Sequence, residues 1–337
     1  MKIKLFIATG DGDYADHLSD MLSEQYADAI EVSVSRTYES FCEMLASAKY
    51  DAALLEPSWI TGADVGMISL PMLLGTDAGD GARLSPEYKQ IDKYQRVSSI
   101  VERVFENYAK ITPAENKRKS VNATVTAVWS PAGGVGKTTV ALAYAIKKSA
   151  EGKRVMYLNL EHFSSIPVYY PEQGRSISSV FEILENNEGN AGALISGIKK
   201  QDLESGVFYL CRPDNYDDMN ILTAENICSL LCACAGVADE VVADLPCTCD
   251  ERTRGVFDMC EKVFLVTDAT GTSHAKLMQF TRQHNVFARI KAKAVLIANK
   301  AALPEGLPAN TTIRLPAIQS ADAPAVCKAL SCYSFGA

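Results

Sequence analysis

TVTAVW-SPAGGVGKTT-VALAYAIKK, residues 124–148, reads as a strand, a glycine-rich turn and a helix in immediate succession. The first six residues are apolar or β-branched, as a buried strand requires, and the last stretch repeats apolar residues at helical spacing. Between them, Gly133, Gly134 and Gly136 let backbone N–H groups turn inward around phosphate oxygens, where a side chain would obstruct them. Lys137 supplies a point charge for β- and γ-phosphates and Thr138 offers a hydroxyl to Mg²⁺. The helix that starts there adds the partial positive charge of its N-terminus. With Val135 and Thr139 completing the loop, residues 133–139 imply bound ATP and Mg²⁺. The strict spacing G-x-x-x-x-G-K-[ST] is broken, because its first glycine falls on Pro131. The form that fits is x-G-G-x-G-K-[ST]-[ST].

Two later strand ends belong beside this loop. In DEVVADLP a hydrophobic run ends in Asp244, whose carboxylate can hold a water on Mg²⁺ and sense the γ-phosphate through the next loop. In AVLIANK the run ends in Asn299, whose amide can donate to and accept from an adenine edge. Taken alone, each is equally a polar residue that caps or turns a strand end. Behind a phosphate loop, at the C-terminal ends of successive strands, they gather into one site.

Outward from this stretch the chain is α/β throughout. VMYLNL, VFYL, EVVAD, VFLVT and AVLIAN are near-continuous hydrophobic runs, the pattern of strands in a mostly parallel sheet covered on both faces. Upstream, residues 1–112 alternate strand-like runs (IKLFIAT, EVSVS, AALL, PMLLG) with amphipathic helices. One of these carries Tyr14, Leu18, Met21 and Leu22, and a second Phe41, Met44 and Leu45. A closing helix carries Val97, Ile100, Val101, Val104, Phe105 and Tyr108. This predicts a small βα domain over 1–112 and a P-loop domain over 122–337. Residues 113–121 form the linker, being polar, opened by Pro113 and without apolar periodicity.

A length of 337 residues accommodates two such cores. The chain carries 33 basic against 41 acidic residues, a formal charge of −8, so its overall field repels nucleic acid and anionic lipid. The short run Lys117-Arg118-Lys119 is too small to reverse this. No segment approaches the ~20 apolar residues of a membrane span. MKIKLFIAT passes directly into the acidic GDGDYAD, without the apolar core of a signal peptide. A cytoplasmic protein with no direct membrane insertion and no nucleic-acid partner is expected. The ten cysteines lie mostly in apolar periodic stretches such as ENICSLLCACAG and read as free thiols. His17, His162, His274 and His284 share no ligand spacing.

From the phosphate loop onward, over nearly all of residues 122–337, the sequence resembles the MinD/ParA family of deviant Walker A ATPases. The N-terminal domain, similar to a response-regulator receiver of flavodoxin-like fold, points within that family to the TadZ/CpaE group of pilus-assembly proteins. The resemblance implies a nucleotide-sandwich homodimer. It also implies adenine contacts at Asn299 and near Pro316, and a Mg²⁺ shell including Thr138 and Asp244. Catalytic roles fall on Lys137, Glu161 and Asp244. It implies an ATP-dependent localisation or scaffold factor for a type IV (Flp/Tad) pilus apparatus, at a cell pole or on the cytoplasmic face of a membrane complex. The alternatives are a partition-type ATPase that positions DNA and an iron–sulfur carrier on the same fold. The acidic balance counts against the first. Such carriers use C-x-x-C, whereas Cys232, Cys234, Cys247 and Cys249 form C-x-C pairs.

Three departures from the family pattern carry expectations of their own. The family's lysine before the paired glycines, which reaches the partner's phosphates, falls on Ala132. Loss of a trans-acting cation of the arginine-finger type, a class worth about 10³ to 10⁵ in rate, predicts slow hydrolysis. The family's aspartate pair after the next strand is replaced by Asn159 and Glu161, which displaces the water-orienting carboxylate by a methylene. The tail, CKALSCYSFGA, lacks a basic amphipathic anchor. In the receiver-like domain Asp11 and Asp13 follow the first strand and Lys93 matches the receiver's lysine. Glu56 stands at the phosphoacceptor position, and Ser58 to Gln90 are poor in helical periodicity. A degenerate receiver that docks, without phosphotransfer, is expected.

Overall fold

Short apolar strands separated by capped amphipathic helices favour parallel pairing, since a strand followed by a helical crossover returns in the same direction. The computed structural model describes residues 2–75, 88–113, 123–268, 270–300 and 312–336. It divides into two compact units, Met1–Ala114 with Ser196–Ile198, and Glu115–Ile195 with Lys199–Ala337. Apart from Pro113, the expected linker 113–121 and its basic run lie outside the described residues.

In the first unit, strands β1 (Ile3–Ala8), β2 (Ile30–Ser35), β3 (Tyr50–Leu55), β4 (Ile68–Gly75) and β5 (Lys89–Asp92) form one parallel sheet in the order β2-β1-β3-β4-β5. That is the order of flavodoxin-type doubly wound sheets, with its switch point between β1 and β3. The helix Gly12–Gln25 is capped by Asp11, whose carboxylate accepts from the Tyr14 N–H, and buries Ala15, Leu18 and Leu22. Helix Val97–Ile111 buries Ile100, Val101, Val104, Phe105 and Tyr108 at helical spacing. Pro57–Ile60 makes a single turn, and residues 76–87 lie outside the described set. Strand β5, KQID, gives no apolar alternation from which the sequence would reveal it.

The second unit contributes β6 (Thr124–Trp129), β7 (Val155–Asn159), β8 (Lys200–Gln201), β9 (Phe208–Tyr209), β10 (Glu240–Asp244), β11 (Lys262–Thr267), β12 (Ala294–Ala298) and β13 (Thr312–Arg314). Their order is β13-β12-β11-β6-β10-β7-β9-β8, parallel throughout except for the β8–β9 edge pair. Strands β7 and β10 are buried at every position, which is why they read as unbroken apolar runs. Helix Lys137–Ala150 lies against this sheet through Val140, Ala141, Leu142, Ala143, Tyr144 and Ala145, its alanines permitting close approach. On it packs the helix Ala323–Ser331, burying Cys327 and Leu330, and Phe335 beyond it is buried against Tyr144 and Phe264. The C-terminal tail is therefore part of the core.

Candidate nucleotide site

The parallel register sets Asp244 level with Asn159 of β7 on one side and Val128 of β6 on the other. All three therefore lie at the C-terminal edge of the sheet, where the loop Ser130–Gly136 leaves β6. Gly134 and Gly136 take left-handed backbone, at φ 74° and 90°. A Cβ on Gly136 would also lie 2.4 Å from the Asn299 amide nitrogen, so glycine is required there twice over. Gly136 caps the helix without a side-chain hydrogen bond, leaving first-turn N–H groups for a ligand. Gly133 and Gly134 are exposed, Val135 is buried, and Thr138 and Thr139 are half-buried.

Beneath the loop, one oxygen of Asp244 collects three donors. Oδ2 accepts from Thr138 Oγ1 at 2.7 Å, Tyr157 OH at 2.9 Å and Asn159 Nδ2 at 3.3 Å. The other oxygen, Oδ1, is buried with no partner. Burial pushes the Asp244 carboxyl up to about 7, and Glu161 adds to the rise, while Thr138, Lys137 and Tyr157 pull it down. A fully buried carboxylate with one oxygen orphaned beside a threonine hydroxyl suits a hydrated hard cation, which takes oxygen ligands directly or through water. The residues present thus fit Mg²⁺.

Lys137 is buried, with Nζ 3.2 Å from Glu161 Oε1 and donating to Cys247 Sγ at 3.2 Å. Burial alone would lower its ammonium, but Glu161, Cys247 and Asp244 outweigh that and raise it above its ordinary value. Glu161 is held by Asn159, whose Oδ1 accepts from the Glu161 N–H at 3.2 Å. Asn159 therefore ties the carboxylate facing Lys137 to the carboxylate beside Thr138. Lys137, Thr138, Glu161 and Asp244 come together in one place.

Asn299 reaches the same loop from the end of β12. Its Nδ2 donates to the Val135 carbonyl at 2.8 Å and its Oδ1 accepts from the Lys300 N–H at 3.0 Å, leaving one N–H and one lone pair for a base edge. Pro316, half-buried, follows the neighbouring β13. Ala132 is buried and donates its N–H to Ser130 Oγ at 3.1 Å. Tyr157, Cys247 and Lys300 escaped sequence reasoning. Tyr157 is one apolar strand residue among several, whereas Cys247 and Lys300 could have been found as neighbours of Asp244 and Asn299. All ten cysteines are free thiols, and among the described residues no group of three His, Cys, Asp or Glu is placed to hold a metal.

In the first unit Lys93 Nζ donates to Asp11 Oδ2 at 2.7 Å, and Glu56 Oε2 accepts from Thr9 Oγ1 at 2.5 Å. These groups stand at the C-terminal ends of β1, β3 and β5 and satisfy one another.

No family model matches the chain, and no curated protein matches it. Among solved structures it is similar to a ParA family ATPase from Chlorobium tepidum TLS. The likeness covers 63% of this chain and 94% of that one, with a TM-score of 0.52 and 17% identity. The septum site-determining protein MinD of Pyrococcus horikoshii, complexed with Mg-ADP, matches over 62% of this chain and 94% of its own. There the TM-score is 0.47 and the identity 15%. Strand order, phosphate loop and the first of these likenesses agree that the chain contains the mostly parallel α/β fold of ParA-type P-loop ATPases.

Proposed function

We propose that this protein binds Mg²⁺-ATP at residues 133–139 and serves as an ATP-dependent localisation or scaffold factor for pilus assembly. The observation that carries the nucleotide reading is the pairing of half-buried Thr138 with fully buried Asp244, whose Oδ1 is orphaned, directly under a left-handed glycine loop. In this reading the glycine-loop N–H groups and Lys137 bind the phosphates, and Thr138 and Asp244 hold Mg²⁺, which supplies charge neutralisation when bound. Nucleotide entry exchanges the Lys137 contacts with Glu161 and Cys247 for phosphate oxygens. Glu161, anchored by Asn159, is then the carboxylate nearest to orient a water. Ala132 supplies no trans-acting cation, so turnover is slow and the ATP-bound state is long-lived. We assign Asn299 and Pro316 to the base end, and the working form is a homodimer. The pilus role rests on the resemblance to the TadZ/CpaE group and on a receiver-like unit in which Lys93 is bound to Asp11 and Glu56 to Thr9, which suits docking to secretion-machine proteins.

Lys137→Ala tests the site. Lys137 is buried against other site residues, so the variant should keep its fold by circular dichroism while Mg²⁺-ATP binding, measured by calorimetry, disappears. Undiminished affinity in the folded variant refutes the assignment.

A further inference from the structure

We propose that Asn299 and Lys300 form a two-point clamp on the outside of the phosphate loop, with Lys300 a positioning residue for nucleotide; this rests on the nucleotide reading above. Consecutive loop carbonyls are taken by consecutive residues. Asn299 Nδ2 binds the Val135 carbonyl at 2.8 Å, and Lys300 Nζ binds the Gly134 carbonyl at 3.2 Å. In a trans peptide the C=O and the next N–H point in opposite directions. Fixing the Gly134 and Val135 carbonyls therefore fixes the Val135 and Gly136 N–H groups facing away from the clamp.

The clamp is anchored in turn. Asn299 N–H donates to the Thr267 carbonyl at 2.8 Å, and Asp268 Oδ2 lies 4.0 Å from Lys300 Nζ. Lys300 also has left-handed backbone at φ 62°, shared among described non-glycine residues only by Asn187 at φ 52°. Asn187 caps the C-terminus of a helix, where that conformation is common. Lys300 instead lies in the turn that follows β12. Its bend carries a Cβ where glycine or asparagine would sit more easily, and it turns the ammonium back onto the loop. Unfavourable backbone kept at a ligand loop is the pattern of a residue retained for its side chain.

Glycine at this position separates the two roles. Lys300→Gly relieves the backbone but removes the ammonium. Its melting temperature without nucleotide should therefore equal or exceed that of the unaltered chain, while its affinity for Mg²⁺-ADP falls about tenfold, as expected for one charged hydrogen bond. Lys300→Arg, which retains charge and reach, should restore most of the affinity. Equal Mg²⁺-ADP affinity in Lys300→Gly and the unaltered chain would overturn the clamp alone. A loss of affinity matched by a lower melting temperature and not rescued by arginine would make Lys300 merely structural. Failure of the unaltered chain to bind Mg²⁺-ADP would overturn the nucleotide reading and the clamp with it.

Discussion

Asp244 shows how burial and asymmetry create a reactive group from an ordinary carboxyl. Its pKa near 7 in the folded chain, against an ordinary 3.8, means that the folded state holds the proton more tightly than the unfolded state. Between about pH 4 and pH 7 stability must therefore fall as pH rises, and the whole gap is worth on the order of 4 kcal/mol. In the presence of a chelator, Asp244→Asn removes this dependence. The melting temperature of the variant relative to the unaltered chain should rise from pH 5 to pH 8, even though the new amide leaves an N–H₂ unsatisfied. A difference that stays constant with pH would mean the carboxyl titrates normally. Gly136 makes the complementary point, since its conformation and the nearby Asn299 amide each exclude a side chain.

At the scale of elements, the helix Lys137–Ala150 carries the site at one end and is supported from the far side by the C-terminal segment. Phe335 is fully buried, 5.5 Å from the Tyr144 ring and 5.9 Å from Phe264, and Tyr144 OH donates to Glu240 at 2.6 Å. Phe335→Ala should lower unfolding stability by about 3–5 kcal/mol, seen as a lower urea midpoint, because the cavity opens between helix and sheet. A loss under about 1 kcal/mol would mean that the tail frays from the core. The sequence CKALSCYSFGA gives no sign of this packing. Its packing depends on aromatic partners far away in the chain.

Across the whole molecule, two sheets, one parallel and one mostly parallel, each place polar groups at the C-terminal ends of their strands, where open α/β sheets present their binding crevices. The two edges differ in whether those groups are already satisfied. In the second unit Asp244 Oδ1 is left over; in the first, Lys93 is bound to Asp11 and Glu56 to Thr9. Incubation with acetyl phosphate should accordingly add no acid-labile phosphate to residues 1–112, as read by mass spectrometry of the intact chain and its fragments. Phosphate mapped to Glu56 or its neighbours would refute the docking role.

Local spacing was enough to reveal the strand, glycine loop and helix at 124–148, because all three follow one another in contiguous residues whose pattern and glycines act locally. The strand β10, buried throughout and ending in Asp244, was readable for the same reason, as was the apolar run of β12 that Asn299 follows: a central strand stays apolar until it reaches the edge. Strand β5, the pairing of Lys93 with Asp11, and the place of Tyr157 were not, since each depends on which distant strands become neighbours. The parallel register alone brings Asp244 level with Asn159 and within 2.7 Å of Thr138, a residue 106 positions away. Which Asp244 oxygen is orphaned, and that Asn299 and Lys300 turn toward the loop, are likewise products of packing. Sequence thus determined the glycine loop and the strand and helix that flank it, through short-range backbone chemistry. Tertiary structure decided how the side chains are shared around it, because hydrogen bonds between residues far apart in the chain exist only once the sheet has set their order.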